Sequence, residues 1–96
     1  MFRFVAPKGC GKSAYCYKQA RERNAYIIVN TGYNRVPYLA KKYEISPDHI
    51  ITVGELLTGR DLPPNAEFII DELEDVVQSL IGGKLIGYSS AEEKYE

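Results

Sequence analysis

The sequence predicts an α/β domain built on a small, mainly parallel sheet of about five strands. Three observations lead there. Short runs rich in β-branched and aromatic residues alternate with stretches of helical periodicity, and the connections between them are short. The run at residues 67–72 also has a continuous apolar core, Phe68-Ile69-Ile70, ahead of two acids, which suits a strand covered on both faces. At 96 residues the chain holds one such domain, spanning 1–96.

The elements follow in order. Residues 2–6 (Phe-Arg-Phe-Val-Ala) read as a first strand stopped by Pro7 and Gly9. From Lys12 to about Asn24 the residues tolerate helix, with Ala14, Tyr17 and Ala20 or Arg21 at three- and four-residue spacing. Residues 25–29 return to strand character. A helix over 35–43 places Val36, Leu39, Ala40 and Tyr43 on one face, and Pro37 is tolerated because it falls in the first turn. A turn at 46–48 leads to a brief strand at 50–53, one or two helical turns at 54–58, and a Gly- and Pro-containing loop at 59–65. The strand at 67–72 is followed by a helix over 73–81. Its stripe of Leu73, Val76, Val77 and Leu80 is terminated by Gly82-Gly83. Residues 84–88 read as a last strand, with a charged tail after them.

Composition excludes several classes of protein. With 45% hydrophobic and 26% charged residues the chain is not of disordered composition. No window approaches a membrane span and no leader precedes the first strand, so a cytoplasmic protein with no membrane partner is expected. Cys10 and Cys16 have no companion His or Cys cluster, which suits a reduced chain rather than a zinc or disulfide framework. The net charge is −1, but residues 1–42 carry nine basic and one acidic side chain, while 43–96 carry three basic and twelve acidic. Such halves attract one another, and the first suits an anion.

The segment Ala6-Pro7-Lys8-Gly9-Cys10-Gly11-Lys12-Ser13 matches the phosphate-binding loop pattern with Ala in place of the first Gly. A strand before it and a helix opening at its last residues would aim backbone N–H groups at phosphate oxygens. Gly9 and Gly11 allow positive φ and close approach of the backbone. The expected nucleotide-binding residues are Pro7, Lys8, Gly9, Cys10, Gly11, Lys12, Ser13 and Ala14. Lys12 would reach the β- and γ-phosphates, and the Ser13 hydroxyl would face Mg²⁺.

On these residues the chain resembles the P-loop NTPases, with 6–13 as Walker A and Phe68-Ile69-Ile70-Asp71-Glu72 similar to a Walker B segment. The resemblance implies a three-layer α/β/α P-loop NTPase fold that binds ATP with Mg²⁺. In it Asp71 joins Ser13 at the metal, and Glu72 resembles the catalytic glutamate of the additional-strand branch, which includes AAA-type ATPases and many helicases and motors. In that branch the final strand 84–88 would lie between the P-loop strand and the Walker B strand, for a sheet order of 50–53, 26–30, 67–71, 84–88, 2–6. Ser89 and Ser90 would then be candidate sensors of the γ-phosphate at the end of a central strand, with Asn30 and Thr31 on a similar rim.

Other residues carry weaker signals. Cys10 reads as a passive loop residue and His49 as exposed. Arg35 and Arg60 are candidates for an arginine finger in trans, although a solvated side chain is the plainer expectation for each. Tyr15, Tyr17, Tyr38 and Tyr43 fall on helices facing the sheet, which favours packing over base stacking.

The expected function is Mg·ATP binding and hydrolysis, with Lys12 and Glu72 catalytic. The compact form is similar to the small ATPases of phages and mobile elements, where DNA is a common partner. The larger relatives continue past the sensor strand, so a second copy or a partner protein is expected to cover the edge left at the P-loop strand. A nucleoside or nucleotide kinase is one alternative, weakened because 61–96 holds no Arg for a lid and only Lys84 and Lys94. A nucleotide-binding module without hydrolysis is another.

Overall fold

A computed structural model describes residues 11–87 and 89. The first strand expected at 2–6 lies outside that range. Helix α1 (Lys12–Arg23) starts after Gly11, whose φ of 78° lies in the left-handed region, and ends at Asn24 in the same region. The Asn24 N–H bonds back to the carbonyls of Ala20 and Arg21, a helix stop with Arg21 and Arg23 in the last turn, where cations suit the dipole. Strand β1 (Tyr26–Val29) follows at once.

A short 3₁₀ turn, Tyr33–Arg35, runs into α2 (Val36–Lys42), with Pro37 in its first turn. A second 3₁₀ turn, Pro47–His49, leads into β2 (Ile50–Thr52). Thr52 then ends the strand and caps α3 (Val53–Thr58), accepting from the Glu55 N–H at 3.2 Å while Glu55 Oε1 accepts from the Thr52 N–H at 3.3 Å. This reciprocal cap moves Val53 from the expected strand into the helix. After the loop come β3 (Phe68–Ile70) and α4 (Leu73–Ile81), which closes at Gly82 with φ of 76°.

All strand pairings in the sheet are parallel, in the order β2-β1-β3. Ile27 stands opposite Ile50 on one side and Ile69 on the other. This agrees with the expected neighbours 50–53, 26–30 and 67–71. Alternation along β1 divides the core between two faces. Ile27 and Val29 pack with Cys16, Tyr17 and Ala20 of α1 and Val36 of α2. Ile28 packs with Ile51, Val53 of α3 and Val76 of α4. Helices thus cover both faces of the sheet, an α/β arrangement.

Two expectations fail among the described residues. Strand β3 is not covered on both faces: Ile69 is buried, but Phe68 and Ile70 are 46% and 40% exposed, and among the described residues β1 is its one strand neighbour. Residues 84–87 form no strand, so among the described residues the sheet has three strands, the one expected at 2–6 lying outside them. The Gln78 side chain of α4 donates to the Gly83 carbonyl and accepts from the Leu85 N–H. Those backbone groups are therefore engaged away from any ladder, and Ile86 is left 91% exposed.

Candidate functional site

The expected site residues meet where the start of α1 faces the end of β3. The parallel strands all point their carboxyl ends the same way, toward the side on which open α/β sheets place ligands. The Asp71 N–H donates to the Ile28 carbonyl at 3.1 Å, prolonging the β3 ladder by one residue. Glu72 then turns the chain into α4 with φ 59° and ψ 67°, a left-handed conformation costly for a residue with a Cβ. Strain of this kind gathers at functional sites.

Two contacts join these consecutive acids to two consecutive residues of α1. The Ser13 hydroxyl donates to Asp71 Oδ2 at 2.8 Å across 58 residues of sequence. Lys12 Nζ lies 2.7 Å from Glu72 Oε1. The hydrogen bond to Glu72 holds the Lys12 ammonium protonated above its ordinary range, against the partial loss of hydration. Burial pushes the Asp71 carboxyl above the usual carboxylate range, with the hydrogen bond from Ser13 acting against it and the charge of Glu72 adding to it.

These side chains border open space. A cavity of about 230 Å³ is lined by Ser13, Asp71 and Glu72 together with Asn30, Thr31 and Arg35. A second space, about 420 Å³, is lined by Gly11, Lys12, Ser13, Ala14 and Glu72. Tyr43 and Asp75 line both. The N-cap, Gly11, has no side chain to offer and the first turn of α1 holds no acid, so among the described residues no side chain competes with water or an anionic ligand for the first amides.

The donor set bears on a metal. Among the described residues no group of three or more His, Cys, Asp or Glu is placed to hold an ion. Ser13 and Asp71 offer two hard oxygens within hydrogen-bond distance of one another. That fits Mg²⁺, which takes few protein ligands and completes its shell with water and phosphate oxygens. It does not fit a metal caged by protein alone.

The remaining expected site residues divide into three groups. Pro7, Lys8, Gly9, Cys10 and Ser90 lie outside the described residues. Ser89 is exposed, and the strand that was to carry it at 84–88 is not formed among the described residues, so its expected sensor position at the end of a central strand is not met. Asn30 and Thr31 stand instead at the end of β1, the strand beside Asp71, and line the cavity. Asn30 Oδ1 also accepts from the Ser79 hydroxyl of α4 at 2.6 Å.

Two further side chains differ from expectation. Arg60 is not a free finger: it donates to the carbonyls of Asp48 and Ile50 and pairs with Glu55 at 3.2 Å. Its guanidinium carbon also lies 5.9 Å from the Tyr26 ring centroid. His49 is partly buried, stacked on Tyr26 with centroids 4.4 Å apart and with Nδ1 2.9 Å from the Ala25 carbonyl. Sequence reasoning missed Asp75 and Tyr43 as lining residues. Asp75 was findable, since it falls one helical turn after Glu72.

In comparison with known proteins, no family model, no curated protein and no solved structure matches this chain. Among the described residues no helix is long and apolar enough to cross a membrane.

Proposed function

We infer that the chain binds a nucleoside triphosphate with Mg²⁺ at the start of α1 and hydrolyses it. The observation that carries this reading is the paired meeting of Lys12 with Glu72 and Ser13 with Asp71, at 2.7 and 2.8 Å. A phosphate-binding helix start is thereby set against two acids, one beside a hydroxyl suited to a metal and one beside the lysine. Lys12 and the amides of the first turn bind the phosphates, and ATP is the expected nucleotide. Ser13 and Asp71 hold Mg²⁺, which when bound neutralises charge on the phosphate oxygens.

Glu72 accepts a proton from the attacking water and orients it. In the free protein its carboxylate is occupied by Lys12. Phosphate competes for that lysine, and the carboxylate is released to the cavity side. Asn30 or Thr31, rather than Ser89, takes the polar position beside the reacting phosphate. The raised proton affinity of Asp71 weakens metal binding as pH falls, because Mg²⁺ requires the ionised carboxylate.

The test is Mg·ATP binding by calorimetry together with phosphate release for wild type, Lys12→Ala and Glu72→Gln. Lys12→Ala should lose binding and turnover. Glu72→Gln should keep binding and lose turnover by at least about a hundredfold, the scale of a general base. Binding without turnover in the wild type would identify a nucleotide-binding module instead. Absence of binding in the wild type would end the reading.

A further inference from the structure

Tyrosine packing against the sheet does not account for the outer side of α2. Tyr17 and Tyr43 do pack, with rings stacked 4.1 Å apart. Tyr33 and Tyr38 do not: they are 71% and 54% exposed. Two cations lie against the Tyr38 ring. The guanidinium carbon of Arg35 lies 5.3 Å from the Tyr38 ring centroid, and Lys42 Nζ lies 5.7 Å from the same centroid and 5.3 Å from that of Tyr43. From Asn24 to Tyr43 the chain has no acidic residue. Arg21 of α1 donates to the Tyr43 carbonyl, which brings the basic last turn of α1 against the end of α2. The acids nearest in sequence are Glu22 and Glu44, both exposed.

We propose that this face, formed by Tyr33, Arg35, Tyr38, Lys41 and Lys42, binds single-stranded nucleic acid by stacking bases on the two exposed rings and pairing phosphates with the flanking cations. Three physical points select this partner. An exposed ring offers a stacking surface to any base, and bases in a duplex are already stacked on one another, so a single strand is preferred. Cations beside the rings match the alternation of base and phosphate along a strand. The face also lacks an aliphatic wedge for a lipid surface: among the described residues the large exposed aliphatic side chains belong to α3 (Leu56, Leu57), β3 (Ile70), α4 (Leu73, Leu80, Ile81) and the segment after it (Ile86). The proposal does not rest on the nucleotide reading, because the face needs neither Lys12 nor Asp71.

The test is fluorescence anisotropy with a labelled oligo-dT strand of about a dozen nucleotides, a length within the site sizes of single-strand binders. It is run without ATP or Mg²⁺, so that failure here leaves the nucleotide site untouched. A blunt duplex of the same length and phosphatidylserine-containing vesicles serve as the other arms. The single strand is expected to bind best. Tyr38→Ala and Tyr33→Ala should each weaken it about five- to a hundredfold with little change in salt slope. Lys41→Ala/Lys42→Ala should lower the slope of log K against log salt by about 0.7 for each phosphate that is no longer neutralised. Circular dichroism checks that each variant is folded. No binding of oligo-dT at 50 mM salt (a condition of about a Debye length of 14 Å), equal affinity for the duplex, indifference to both tyrosines, or preference for the vesicles would each overturn the proposal.

Discussion

Replacing Ser13 by Ala tests the meeting of α1 with β3 directly. The hydroxyl donates at 2.8 Å to a partly buried carboxylate, so the mutation removes a charge-assisted hydrogen bond. Bonds to charged groups contribute about 1.5–3 kcal/mol, and the open cavity on one side places this one near the lower end, about 1.5–2 kcal/mol. For a domain of this size that lowers Tm by about 6–16 °C. Asp71→Asn acts oppositely at pH 7. It removes a charge whose burial is unfavourable while leaving Ser13 an acceptor, so stability should rise, whereas the metal binding proposed above should be lost.

The pH dependence has a definite sign. Asp71 has its folded-state proton affinity raised, mainly by burial. Its contribution is fully favourable below the carboxylate value of the unfolded chain, about 3.9, and is lost as pH rises through the higher folded value. The advantage of Asp71→Asn over wild type should therefore shrink as pH falls through that window, and Ser13→Ala should widen it. The assay is thermal and urea denaturation by far-UV circular dichroism from pH 4 to 8 (a range spanning about the Asp and His values), on both single variants and the double. A coupling energy of about 1 kcal/mol is expected. If Ser13→Ala leaves Tm within about 2 °C of wild type and the two changes are additive, the hydroxyl does not bond the carboxylate and the site geometry is wrong.

Two further predictions concern residues outside the chemistry. Arg60→Ala should destabilise the fold by about 1–3 kcal/mol, since it leaves the Ile50 and Asp48 carbonyls and Glu55 without their partner, yet ATP turnover per folded molecule should stay unchanged; a selective loss of turnover would restore it as a catalytic group. Cys16 is buried, and burial together with the charge of Asp71 pushes its thiol up to about 11. In a Cys10→Ser background, iodoacetamide at pH 8 should therefore label Cys16 at least about tenfold more slowly than a free thiol, with the rate recovering in urea.

Much of the local structure was legible because its causes are local. The stop of α1 at Asn24, the stop of α4 at Gly82 and the stripe of α2 follow from residues within one or two turns. The Thr52–Glu55 cap was equally readable as a Thr-x-x-Glu pattern, but the β-branched run ahead of it suggested a strand one residue longer. His49 and Arg60 were misjudged because a charged or polar side chain in a loop is usually solvated. Here the Ala25 carbonyl and the Tyr26 ring meet His49, while backbone carbonyls and the same ring meet Arg60.

What the sequence set out by itself is a group of candidate side chains in their local setting: a glycine, lysine and serine at a helix start, and two acids after an apolar strand. Loop and helix-start geometry depends on a few adjacent residues, so those letters suffice to suggest it. Which lysine faces which acid was decided only by the tertiary structure. The separation of 58 positions from Ser13 to Asp71 is bridged through the parallel pairing of β1 with β3, and register across strands is a property of the assembled sheet. The same holds for the neighbour of Asp71. Residues 84–88 read as strand-like in the sequence, but the Gln78 side chain engages the Leu85 N–H and the Gly83 carbonyl just before the run, and the rim beside the acids is lined by Asn30 and Thr31.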